Sequence, residues 1–264
     1  MARTLISRAS RTVSLAMLAS AMSLGVASAE PLTSEADSKC FITQETRHDG
    51  QNALVRVTTA PPNERIELEV IAPSDWQISD ISFASGRKLV AADRAKVTVQ
   101  GYDRTLFRIE REDAINVWGE LPISIKRPEK KSSEIFLTVT KRETDLLRHC
   151  EARLLADWGV EPGGNVRAVT PPIGTSAEWL TMKDYPLDAK KARMEGDTTI
   201  LWRVDPDLRV HECKTIVTSG HRLLDEVTCA AMIRRGQWSK PAFDKDGQPI
   251  PFWYRRKIVW VPPN

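Results

Sequence analysis

The stretch from Tyr185 to Val261 constrains this chain most, because it is punctuated from end to end. Pro186 stands where a helix places its first residue, a position at which a missing N–H costs nothing. Asp188 adds negative charge to that first turn. Leu187, Lys190 and Lys191 continue the pattern, and Gly196 is expected to end it in the left-handed conformation. A strand follows over Thr198–Val204, with Ile200, Trp202 and Val204 on one face and Leu201 and Arg203 on the other. Asp205-Pro206-Asp207 turns the chain. The next strand, Arg209–Val217, sets Val210, Glu212, Lys214 and Ile216 against His211, Cys213, Thr215 and Val217. Ser219-Gly220 breaks it, and a helix is expected from Arg222 to Arg235, with Leu224, Val227, Ala231 and Met232 as its apolar stripe and Gly236 as its stop. Asp244-Lys245-Asp246-Gly247 is a turn by composition. The last strand, Phe252–Val261, carries Phe252, Tyr254, Arg256, Ile258 and Trp260 on one face and Trp253, Arg255, Lys257, Val259 and Val261 on the other.

Long, aromatic and basic, this last strand is expected at a sheet edge, where its backbone offers unpaired groups to another chain. Trp253 and Tyr254 are expected either as anchors for a partner or as core aromatics. Arg255, Arg256 and Lys257 are expected either to select an acidic or polar partner or to guard the strand against aggregation. The same edge allows two copies to pair as a homodimer.

Taken together, Tyr185-Pro186 with Ala189 and Glu195-Gly196, the strand Thr199–Val204, Arg209-Val210, Ser219-Gly220, Leu224-Asp225, the helix end Ala231–Arg235, Trp238, Pro241-Ala242 and Gly247-Gln248-Pro249 resemble the C-terminal domain of TonB-type proteins. The resemblance spans residues 177–262 and leaves the rest of the chain without a counterpart. It implies an α+β domain with a three-stranded antiparallel sheet and two helices. It also implies a periplasmic location in a Gram-negative bacterium and binding to outer-membrane receptors, with a receptor segment added beside the last strand. The chain departs from the family pattern in three ways. Its N-terminal hydrophobic segment contains no His, it has no long spacer of Pro-Glu and Pro-Lys repeats, and the turn Asp205–Arg209 lacks the usual Gly.

Residues 1–29 read as a secretory signal peptide: Arg3, Arg8 and Arg11 precede an apolar run, Val13–Val26, and Ala27-Ser28-Ala29 supplies a cleavage site before Glu30. The run is shorter than the ~20 residues of a membrane span. The whole chain holds 38 basic and 35 acidic residues, so its net charge of +3 resides in the three leader arginines (38 − 3 = 35) and the remainder is neutral. Bulk charge therefore gives no support to nucleic acid or an anionic membrane as partner.

Residues 30–158 are expected to form a β-rich domain, an antiparallel sandwich or barrel closed by a helix. Ala53–Thr58, Ile66–Ile71 and Ile135–Thr140 are three of its strands. In the second, Ile66, Leu68 and Val70 alternate with Glu67 and Glu69, as in a strand with one buried face. Leu146, Leu147, Cys150, Leu154 and Leu155 recur at helical spacing over Thr144–Asp157, with Thr144 and Asp145 as expected caps and Gly159 as the end. Trp76 and Trp118 are expected in the interior. Residues 159–176, with Pro162-Gly163-Gly164 and Pro171-Pro172, are expected as a linker to the domain 177–264.

All four cysteines lie beyond the leader, and an even count in an exported chain argues for disulfides. Pairing Cys40 with Cys150 and Cys213 with Cys229 keeps each bridge inside one expected domain. No enzyme signature stands out. His211 and Cys213 share a strand face, but the spacing of His221 and Cys229 beyond them fits no common zinc pattern, and a disulfide removes both sulfurs. Ser219-Gly220-His221 is no nucleophile elbow, and no phosphate-binding Gly loop occurs. The expectation is an exported periplasmic binding protein without catalytic residues, metal or cofactor. The alternative is a membrane-anchored TonB-type energy transducer that keeps its N-terminal segment.

Overall fold

The structure, a computed structural model, describes residues 38–62, 66–82, 88–90, 93–96, 101–109, 119–127, 130–161, 165–174 and 179–262. The leader with its cleavage site, and Trp118, lie outside the described residues.

Among the described residues nine strands come first: β1 Cys40–His48, β2 Gln51–Thr59, β3 Ile66–Pro73, β4 Gln77–Ser82, β5 Lys88–Val90, β6 Asp93–Lys96, β7 Tyr102–Ile109, β8 Gly119–Arg127 and β9 Lys130–Val139. They form two open antiparallel sheets, ordered β1-β2-β3-β7-β6 and β5-β4-β8-β9, so the barrel option is excluded. Alternation decides what each strand buries. Val55 and Val57 of β2 and Leu68 and Val70 of β3 point inward, where Ile78 and Ile81 of β4 and Phe107 and Ile109 of β7 meet them in one core. Glu69 of β3 faces outward and pairs there with Arg56 and Arg104. Trp76 is in the core, its Nε1 donating to Gln51 Oε1 at 2.9 Å.

Helix α1, Lys141–Asp157, closes this core with Leu147, Cys150 and Leu154. It starts three residues earlier than its apolar spacing indicates. Thr140 is the N-cap, accepting from the Glu143 N–H while the Glu143 carboxylate accepts from the Thr140 N–H. This is a capping box, T-x-x-E, and it displaces Thr144 and Asp145 from the cap. The Cys40–Cys150 bridge, with Cα atoms 6.0 Å apart, ties α1 to β1.

Helices α2 (Leu187–Lys191) and α3 (Arg222–Arg235), strands β10 (Gly196–Val204), β11 (Val210–Val217) and β14 (Phe252–Trp260), and a short hairpin of β12 (Ala242–Phe243) and β13 (Pro249–Ile250) make up the C-terminal part. The three long strands form an antiparallel sheet in the order β11-β10-β14. Gly196 does not end α2. Arg193 takes the left-handed conformation there (φ 47°), and Met194 N–H closes the turn on Ala189 O. Gly196 opens β10 instead, where a Cβ would come within 2.4 Å of Ser219 O. A second difference lies in β11. The register steps between Arg203 and Val204, which moves Val210 to the face of Cys213, where it is buried. One extra residue, His211, is absorbed in the resulting bulge.

Both faces of this sheet are covered. On the front, Ile200, Trp202, Val204 and Val210 pack against Met232, Trp238 and Trp179. The Cys213–Cys229 bridge staples β11 to α3, with Cα atoms 5.5 Å apart. On the back, Leu201 and Trp253 pack against Leu155 and Val160, from the end of α1 and just beyond it. Leu201, expected on the same face as Arg203, is fully buried because α1 ends beneath it.

Candidate functional site at the last strand

Strand β14 is the outer strand of its sheet and pairs only with β10 among the described residues. Its register is unbroken from Phe252↔Val204 to Trp260↔Gly196. Both ends are pinned. Near the start, Tyr254 stacks on its cross-strand neighbour Trp202 (ring centroids 5.5 Å, 20°) and on Trp238 (5.9 Å, 21°). Its hydroxyl donates to Pro172 O at 3.2 Å, and burial pushes the phenol pKa up, which keeps it a donor. At the far end, Trp260 packs edge-on against Tyr185, and its Nε1 donates to Thr228 Oγ1 at 3.0 Å.

Trp253 and Tyr254, read either as partner anchors or as core aromatics, both pack into the interior. Trp253 is 7% exposed, with the Arg203 guanidinium and the Lys214 ammonium each 5.8 Å from its ring. Tyr254 is half-buried in the aromatic cluster. Of the basic residues, Arg255 is half-buried, whereas Arg256 and Lys257 are exposed. Lys257 forms an ion pair with Asp197 at 2.5 Å, on the β10 side of the strand. The structure thus separates the five expected binding residues into two interior aromatics and a basic run further along the strand.

Backbone direction identifies the open part of the edge. Trp253 N–H donates away from β10, to Asn165 Oδ1 at 2.8 Å, and Trp253 O accepts from Asn165 Nδ2 at 2.7 Å. In a regular antiparallel strand every second residue repeats this orientation. Arg255, Lys257 and Val259 therefore also aim their N–H and C=O outward, where the sheet has no further strand among the described residues. Val259 is 61% exposed.

Asn165 carried no local signal in the sequence. It lies in residues 159–176, expected as a linker, yet it is 4% exposed and also donates to Pro62 O at 3.3 Å. The rest of that segment is tied down in turn. Val169 N–H donates to Phe243 O at 2.8 Å, and Ile173 pairs with Lys240.

The remaining motif residues are structural. The Asp225 carboxylate accepts from the hydroxyls of Thr198 (2.8 Å) and Thr218 (2.6 Å) and from the Ser219 N–H (3.0 Å). Burial alone would push this carboxyl up, but these bonds outweigh it and hold it below its ordinary value. Leu208, in the turn that lacks the usual Gly, takes a left-handed conformation (φ 69°) and packs on the front core. His211 is exposed and pairs with Asp207 at 2.6 Å, away from the Cys213–Cys229 bridge that holds both sulfurs.

Residues 181–262 match the family described as the Gram-negative bacterial TonB protein C-terminal domain. No curated protein matches the chain. No solved structure matches it. The C-terminal part of this protein is therefore similar in sequence to a TonB-type protein-interaction domain, and it has the three-stranded antiparallel sheet that the resemblance implies.

Proposed function

We propose that this protein is exported to the periplasm and binds a segment of another envelope protein by adding it as a strand to β14. The observation that carries this reading is the outward backbone of Lys257 and Val259 at an edge with no further strand among the described residues. Two such edges exist in a three-stranded sheet, and the other is less open. Along β11, Lys214 Nζ donates to Trp158 O at 2.7 Å and Ser38 Oγ donates to Ile216 O. Strand addition draws affinity from main-chain hydrogen bonds and selectivity from alternate side chains. Arg256 and Lys257 favour an acidic or polar segment, and an outer-membrane receptor is the family's kind of partner. Export rests on the leader pattern of residues 1–29.

A photoreactive residue at Val259, in cells expressing the full chain, tests this. An adduct with an envelope protein is expected, and it should vanish with Lys257→Pro, which removes an outward N–H at a position facing away from β10. An adduct that survives the proline would overturn strand addition. The mature N-terminus, read from the same cells, should be Glu30 in the soluble fraction; an intact leader held in the membrane would favour an anchored transducer.

A further inference from the structure

We infer that Asn165 sets the register of strand addition, an inference that rests on the reading of β14 as a docking edge. The Asn165 side-chain amide does at Trp253 what a neighbouring strand does: it accepts from the Trp253 N–H and donates to the Trp253 carbonyl. Both outward groups of that residue are satisfied before any partner arrives. An incoming strand then has Lys257 and Val259 to pair with, and its path toward Phe252 is blocked at Trp253.

Three observations make this a fixed stop rather than a passing contact. Asn165 is buried, so displacing its amide strands two bonded groups away from water. Its Nδ2 donates a second time, to Pro62 O in the turn after β2, which anchors it in the N-terminal sheets. Its own loop is closed by Ala168 N–H on Asn165 O, and the bonds from Val169 and Ile173 to the 240–243 segment hold the chain beyond it. Asn165 also lies outside the residues that match the family. Register is thus set by a part of the chain that the binding domain does not contain. In β-pairing a one-residue slip exchanges the faces of every side chain, so a stop of this kind decides which partner residues meet Arg256 and Lys257.

The test uses the full chain and random linear decapeptides displayed on phage and selected against it. Backbone amide exchange is followed by NMR with and without a selected peptide. In the wild type, the peptide is expected to slow exchange at Lys257 and Val259 and to leave the Trp253 amide and the Asn165 side-chain resonances unmoved. In Asn165→Ala, the Trp253 amide should exchange about tenfold faster or more without peptide, as befits a lost buried bond, and slow again when peptide is added. Asn165→Leu, close to Asn in volume but with neither an acceptor for the Trp253 N–H nor a donor for the two carbonyls, guards against a folding defect in the alanine variant; it should widen the footprint to Trp253 as well. Movement of the Asn165 resonances in the wild type, or an unchanged footprint in both variants, overturns the register stop while leaving strand addition in place. Peptides that bind without slowing Lys257 or Val259, or a library that yields none, overturn strand addition itself and the stop with it.

Discussion

The two faces of the three-stranded sheet are sealed in different ways. The front is closed almost wholly from within the family-matched segment, by α3, Trp238, Met232 and the Cys213–Cys229 bridge. The back is closed by Leu155 and Val160, which lie before that segment. A boundary in sequence therefore need not be an energetic one. Leu201 and Trp253 would face water if residues 181–262 stood alone, and two large apolar side chains are costly to expose, at roughly 1.5–3 kcal/mol each.

The strongest test of the front face is Trp202→Ala, expected to cost about 3–5 kcal/mol in denaturant unfolding. A much smaller loss would mean that the aromatic cluster contributes less than its packing implies. Leu155→Ala tests the back. It should cost about 2–5 kcal/mol and speed amide exchange in β10, although Leu155 belongs to α1. If only β1–β9 lose protection, the two parts are energetically separate and the contrast between the faces fails. The paired change Cys213→Ala with Cys229→Ala removes the front staple. The chain-entropy account gives about 3 kcal/mol for a loop of this length, separation 16. Asp225→Asn should cost about 2 kcal/mol and alter the acid limb. Because the folded-state pKa of Asp225 is depressed, its contribution is complete above the unfolded value of about 3.9 and is lost as pH falls through the folded one. The variant should therefore be less stable at neutral pH and flatter below about pH 4, measured as midpoint against pH. An acid limb identical to the wild type would remove Asp225 from that role.

Much of the front face was legible in the sequence, because local signals define it. Period-two alternation located β10 and β14, and Gly236 marked the end of α3. The pairing of the four cysteines could be read by keeping each bridge within one unit. Misreadings arose where a nearby competitor won. Gly196 resembled a helix stop, yet its missing Cβ is needed for the approach of Ser219. The capping box at Thr140 was present as T-x-x-E but lay outside the apolar repeat used to bound α1. The bulge at His211 reversed the face of Val210, a one-residue event that alternation cannot show. The back face was illegible for another reason. Leu201 and Trp253 are buried by a helix end far upstream, and the start of the edge is occupied by an Asn between Gly-Gly and Pro-Pro. Neither dependence leaves a local trace.

The pairing of Cys40 with Cys150 and Cys213 with Cys229 also bears on how the chain matures. The bridges succeed one another along the sequence and neither encloses the other. A chain that emerges with its N-terminus first presents its cysteines in the order in which they pair. Each thiol can be oxidised with the next to arrive, and the native pattern results without a wrong bond to undo. Had the native bonds been interleaved, consecutive oxidation would leave wrong bonds to be undone by thiol–disulfide exchange, which takes seconds to hours depending on oxidant and isomerase. The consecutive arrangement makes correct oxidation a matter of sequence order alone.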